Sequence, residues 1–211
     1  MDLEAELDAV RSLEIDELAA SIETLGFECT RCGACCKGQG EDHTATLSPE
    51  EVRDLMGPEQ EWRDVARPVP FGLENGEGET FEWALQTAAC GDCRFYEDGE
   101  DAGTCTVYEN RPRICRTYPF SIDVAGGDPM GAVVDRNGAV RAHECEGLGR
   151  DISREEARAL ARQLKDRAIH DLQELRAVRE AYHPVDMEPG QVIVHDSEGA
   201  KRVDGSPIDH P

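Results

Sequence analysis

The stretch Cys29 to Cys36, "CTRCGACC", places four thiols within eight residues and ends on an adjacent pair. A chain with that feature must fold around its sulfurs, as a disulfide knot or as a metal site. Two intervening residues let a loop turn back so that successive thiolates face one point. The C-x2-C-x2-C spacing matches the ligand run of bacterial iron–sulfur sites, whose fourth ligand comes from elsewhere. C-x2-C spacing serves zinc equally well. The spacing thus points to a metal and leaves zinc and a [4Fe–4S] cluster both open.

The compartment separates the knot from the metal. The amino terminus, "MDLEAELDAV", is acidic and lacks the apolar region of a signal peptide. No apolar run is long enough to span a bilayer. The expectation is a cytoplasmic protein, where thiols stay reduced and cysteines read as ligands. The count of nine cysteines also leaves one over from any closed disulfide framework.

Charge narrows the partners. Asp plus Glu number 45 against 22 Lys plus Arg, a formal net charge of −23. Such a surface repels phosphate backbones and anionic membranes, so neither nucleic acid nor membrane is expected as a partner; an unidentified protein or redox partner is. Only Lys37, Lys165 and Lys201 are lysines. Excess acid with so little lysine predicts adaptation to concentrated salt, which screens charges within roughly 3 Å.

The expected fold class is α+β: a small irregular core organised by metal, an N-terminal helix, a long C-terminal helix and short β-hairpins. Residues 2–25 carry helical periodicity, with a break at Ile15–Asp16, Asp16 as a second cap and Gly26 as the stop. Ser48, Pro49 and Glu51 read as a capping box. Residues 57–80 read as a long loop, and "TFEWALQ" is ambiguous between strand and helix. Asn137-Gly138 signals a hairpin. Residues 153–182 read as the longest helix, opened by Ser153 and Glu156, with Leu160, Leu164, Ala168, Leu172, Leu175 and Tyr182 as its apolar stripe. The expected organisation is a helical segment 1–28, a cysteine-cluster domain 29–150, a helix 151–183 packed on it and a hairpin tail 184–211, all one compact domain.

The remaining cysteines are Cys90, Cys93, Cys105, Cys115 and Cys145. Cys35 and Cys36 are expected not to be equivalent ligands of one cluster, because neighbouring side chains leave the backbone in different directions. One grouping sets Cys29, Cys32, Cys35 and Cys115 at one centre and Cys36, Cys93, Cys105 and Cys145 at a second. Arg31, Lys37, Arg94, Arg111, Arg113 and Arg116 lie near cysteines and read either as solvated charges or as compensation for thiolate charge. His43 and His143 flank cysteines and read as polar loop residues; Tyr118 and Phe120 read as shielding for the centre. "CGDC" at 90–93 has redox spacing but opens no βαβ unit. The C-x3-C-x2-C of radical S-adenosylmethionine enzymes is missing, since Gln39 stands where its third cysteine would fall. Neither "GLENGEGE" nor "AGGDPMG" opens a helix as a nucleotide loop would.

"CTRCGACC", "CRFYEDGEDAGTCTVYENRPRICRTYPF" and "CEGLG", in that order, resemble the CxxCxxCC cysteine-cluster family, the YkgJ-like zinc- or iron-chelating domain, in a version like those of salt-loving archaea. The resemblance covers Cys29 to about Gly149. It implies metal ligands at Cys29, Cys32, Cys35, Cys36, Cys93, Cys105, Cys115 and Cys145, with Arg111 and Arg116 on the second motif as candidate cofactor-binding residues. Cys90 lies outside the pattern. The cofactor so implied is an iron–sulfur cluster or, alternatively, zinc. The functions implied are redox or electron transfer, a structural zinc module, or metal delivery; whether the chain is an enzyme stays open.

Overall fold

In a computed structural model the described residues are 2–38, 45–99, 103–123 and 132–208. His43 and the "AGGDPMG" loop at 125–131 lie outside them. The fold is α+β, with a long C-terminal helix and short antiparallel hairpins. Its contacts divide the chain into two units. Unit 1 comprises Met1–Ala34 and Arg113–Gln173; unit 2 comprises Cys35–Pro112 and Glu174–Pro211.

Unit 1 is built on helices with one apolar face each. Leu3–Ser12 is capped by the Asp2 carboxylate, which accepts from the Glu4 and Ala5 amides, and buries Leu3, Leu7 and Val10. Ile15–Leu25 buries Leu18, Ala19, Ile22 and Leu25, which is the i, i+1, i+4, i+7 pattern of one face. Asp16 is not the cap: Glu14 holds that position, and Asp16 instead pairs with Arg154 at 3.1 Å and Arg158 at 3.3 Å. Gly26 ends the helix with φ 68°, and a Cβ there would stand 2.6 Å from the Arg150 carbonyl oxygen, so only glycine fits.

A three-stranded antiparallel sheet follows, with Val140–His143 between Phe120–Ile122 and Val133–Asn137. The hairpin turns at Gly138-Ala139, one residue beyond the Asn-Gly reading, with Gly138 at φ 54°. The Ser153–Glu156 capping box opens the helix Arg154–Ala181. Its residues Ala157, Ala161 and Leu164 close a core with Ile22, Phe120 and Val140. Each large aliphatic side chain removed from water there contributes roughly 1.5–3 kcal/mol. Of the predicted stripe only Leu164 is fully buried; Leu175 and Tyr182 are exposed.

Unit 2 is mostly sheet. The predicted capping box is present at Ser48 and Glu51, opening Pro49–Leu55. Residues 57–80 are not a loop. They hold the helical turn Trp62–Val65 and the strands Ala66–Pro68, Leu73–Glu74 and Glu77–Thr80. Asn75 and Gly76, at φ 52° and 83°, make the hairpin turn between the last two. "TFEWALQ" resolves as the strand Trp83–Leu85, central between Thr46–Leu47 and Ala66–Pro68. The tail forms the expected hairpin, Val192–Asp196 with Gly199–Arg202, and Val192–Asp196 also pairs in parallel with Glu77–Thr80. Under these sheets the Trp83 indole donates to Asp196 at 2.8 Å, and Asp196 binds the buried Lys201 ammonium at 2.8 Å.

Candidate metal centre

The border between the units falls between Ala34 and Cys35, inside the cysteine motif. Cys29, Cys32, Cys115 and Cys145 therefore belong to unit 1, and Cys35, Cys36, Cys90, Cys93 and Cys105 to unit 2. The unit border puts Cys145 with Cys29, Cys32 and Cys115, and Cys35 with Cys36, Cys93 and Cys105, a different partition from the one expected for two centres. None of the nine is in a disulfide.

In unit 1 the chain leaves Gly26 and lies against the segment that carries Cys145. Phe27 bridges Leu148, and the Glu28 amide donates to the Gly147 carbonyl at 3.0 Å. Cys29 is the next residue along. A Cβ on Gly147 would stand 2.1 Å from the Glu28 carbonyl oxygen, so this approach requires glycine. The Gly147 amide in turn donates to the Cys145 sulfur, 3.4 Å away.

Cys115 sits on the short helix Arg113–Thr117. Pro112 precedes it, and Arg111 takes the extended conformation (φ −53°, ψ 143°) that a following proline imposes. The helix end is held by the Arg167 guanidinium, which donates to the Thr117 hydroxyl at 2.9 Å and to the Phe120 carbonyl at 3.3 Å. The Tyr118 hydroxyl donates to the Glu144 carbonyl and so ties this helix to the residue before Cys145. Phe120 is buried in the core edge-on to Phe27. Arg116, beside Cys115, is exposed.

In unit 2, Cys35 and Cys36 share the 3-10 turn Ala34–Cys36, and their sulfurs are 3.9 Å apart. The tight turn directs both side chains to one place, against the sequence-based expectation that they diverge. The Cys36 carbonyl accepts from the Cys93 amide at 2.8 Å, and Asp92 accepts from Gly38 at 2.9 Å, so the two cysteine segments are laced together. Cys105 pairs with Tyr96 on the next short ribbon. Cys93 is buried, and that burial pushes its thiol up to about 11, with Cys105 and Cys35 adding to the rise. The Cys35 thiol is pushed up by its hydrogen bond with Cys36 and then by burial, while the Arg111 guanidinium opposes the rise. Arg111 lies over the Tyr108 ring at 3.8 Å and donates to the Tyr108 carbonyl. Lys37 pairs with Asp98 at 2.9 Å. Cys90 is exposed in the turn closed by Gly91 to Ala88.

A tetrahedron of thiolates about 2.3 Å from one ion has edges of roughly 3.8 Å, so the Cys35–Cys36 pair already spans one such edge. Among the described residues, no three His, Cys, Asp or Glu side chains converge enough to hold an ion. Backbone hydrogen bonds place the segment entering Cys29 against the one carrying Cys145, and the Cys36 segment against the one carrying Cys93. The donor set itself, thiols without a competing carboxylate or imidazole cluster, fits a soft or borderline ion.

Sequence reasoning missed the burial of His195, whose Nε2 is 2.9 Å from Glu79, and the 2.9 Å contact of His143 Nε2 with Ser121. Burial holds the His143 imidazole below its ordinary range. No described helix is long and apolar enough to cross a membrane.

The chain is α+β with nine cysteines, and because no three potential ligands converge among the described residues, its assignment to a cysteine-cluster metal-binding class rests on the family match. It belongs to the CxxCxxCC family, described as "Putative zinc- or iron-chelating domain", whose profile matches residues 28–146, more than half the chain. No curated protein and no solved structure matches it.

Proposed function

We propose that the protein carries two four-cysteine metal centres, Cys29, Cys32, Cys115 and Cys145 in unit 1 and Cys35, Cys36, Cys93 and Cys105 in unit 2. The observation that carries this reading is the unit border inside the motif, which divides the eight family-matching cysteines four and four. Eight thiolates exceed the needs of a single tetrahedral ion. The function we assign is iron–sulfur redox chemistry: a [4Fe–4S] cluster would supply one-electron transfer, and the exposed Cys29 and Cys32 would bring it close to a protein partner. Arg116 in unit 1 and Arg111 in unit 2 would offset the negative charge that four thiolates leave. With net charge −23, nucleic acid and anionic membranes are poor partners, and the compartment proposed is the cytoplasm.

One observation favours a second reading. The 3.9 Å Cys35–Cys36 separation suits a single tetrahedral ion better than two irons of a cluster, whose terminal thiolates point apart. Zinc there would make unit 2 a structural or metal-delivery module. The test is anaerobic purification at high salt, followed by metal and acid-labile sulfide analysis and a visible spectrum. A brown, sulfide-containing protein supports the redox reading. Colourless protein with stoichiometric zinc supports the structural module, and loosely held, exchangeable metal supports delivery.

A further inference from the structure

We infer that Cys35 and Cys36 form a reversible vicinal disulfide under peroxide, and that this bond competes with metal for the same two sulfurs. The inference deepens the reading of the unit 2 centre and rests on it for the metal part alone. Three observations carry it. The two sulfurs already stand 3.9 Å apart in one turn, so closure brings them about 2 Å nearer and bends the peptide that joins the two residues. Cys35 is exposed as a residue, though its sulfur is partly covered beside Cys36, and Cys36 is half-buried, so a small oxidant reaches the pair, whereas Cys93 is buried. The segment is anchored behind the pair by Cys93 to Cys36 and Asp92 to Gly38, so it does not have to unfold to react.

The chemistry balances with hydrogen peroxide as oxidant. One sulfur attacks a peroxide oxygen, the O–O bond breaks, and a sulfenic acid forms with loss of water. The neighbouring thiol attacks the sulfenic sulfur, the S–S bond forms, and a second water leaves. Two thiols are oxidised by two electrons, and one peroxide is reduced to two waters. Reversibility follows from adjacency. Neighbouring Cα atoms are held about 3.8 Å apart, below the roughly 4.4–6.8 Å that a relaxed disulfide spans. Such a disulfide is strained and easily reduced by thiols. While it exists, unit 2 retains two of its four thiolates, too few to keep an ion.

The experiment treats the full-length, metal-loaded protein with stoichiometric hydrogen peroxide at high salt, then maps disulfides by peptide mass spectrometry and assays released metal with a chromophoric chelator. The expected result is a Cys35–Cys36 disulfide, reversed by dithiothreitol, with metal released in step with the bond. The same mapping on reduced, metal-free protein reads the disulfide independently of any centre. A disulfide there without metal release from loaded protein would keep the thiol chemistry and refute competition with metal. Sulfinic or sulfonic acid at either residue, or a disulfide to Cys93 or Cys105 instead, would overturn the proposal. Cys90→Ser should behave as the parent protein, which excludes the exposed ninth thiol as the partner.

Discussion

Gly147→Ala is the sharpest test of how unit 1 holds its thiols. Gly147 needs no unusual backbone conformation, so alanine meets only a steric obstacle: its Cβ would stand 2.1 Å from the Glu28 carbonyl oxygen and 3.1 Å from the carbonyl carbon. Restoring ordinary contact requires the two segments to part by about 1 Å. That movement stretches the 3.0 Å Glu28–Gly147 hydrogen bond out of range, a loss of about 1 kcal/mol. Overpacking adds about 1–3 kcal/mol. The expected destabilisation is therefore about 2–4 kcal/mol, with Cys29 displaced from Cys145. Gly149→Ala is the matched control. Nothing lies within 4 Å of its Cβ, but its φ of +76° costs an alanine roughly 1–2 kcal/mol. Guanidinium denaturation at high salt reads the stability, and metal per chain reads the centre. Gly147→Ala should lose stability and metal, whereas Gly149→Ala should lose stability and keep metal. Gly147→Ala at parental stability with full metal would refute the reasoning.

Lys201→Met should cost about 3–5 kcal/mol in thermal or denaturant unfolding, because it strands the buried Asp196 carboxylate; a loss below about 1 kcal/mol would show that Asp196 does not depend on the ammonium. The Arg53 guanidinium holds the Glu198 carboxyl below its ordinary range, so between the folded and unfolded values the unfolded chain binds more protons. Stability from this pair is present above the ordinary glutamate range and is lost as pH falls through the folded value, and Glu198→Gln should flatten that acid limb. Melting temperature should rise from low to molar potassium chloride, as self-repulsion at net charge −23 is screened; a flat or falling series would contradict adaptation to salt.

Local signals were legible and long-range ones were not. The Ser48–Glu51 and Ser153–Glu156 boxes and the Gly26 stop are read within four residues of chain, and all three stand in the structure. Asp16 misled because an acidic chain offers a capping carboxylate at almost every helix start. Residues 57–80 hid their strands because Gly and Glu mask alternation in strands of two to four residues. The parallel partner of Glu77–Thr80 lies more than a hundred residues away. The lysines illustrate the same limit. Lys37 pairs with Asp98, Lys165 caps two carbonyls at Arg11 and Leu13, and Lys201 neutralises Asp196. Composition shows that lysine is rare but not where its compact ammonium is needed. At the candidate site the cysteine spacing identified the donor type. The unit border after Ala34 follows from tertiary contacts and leaves no mark in composition, so it could not be read from spacing.

The claim of two centres, one per unit, is tested most directly by metal per chain in two double variants purified anaerobically. Cys29→Ser/Cys32→Ser removes half the thiols of unit 1, and Cys93→Ser/Cys105→Ser half those of unit 2. Serine is a poor ligand for a soft site, so each variant should lose the metal of its own unit and keep that of the other. Loss of all metal from both variants would mean one shared centre, and full retention in either would remove those cysteines from the ligand set.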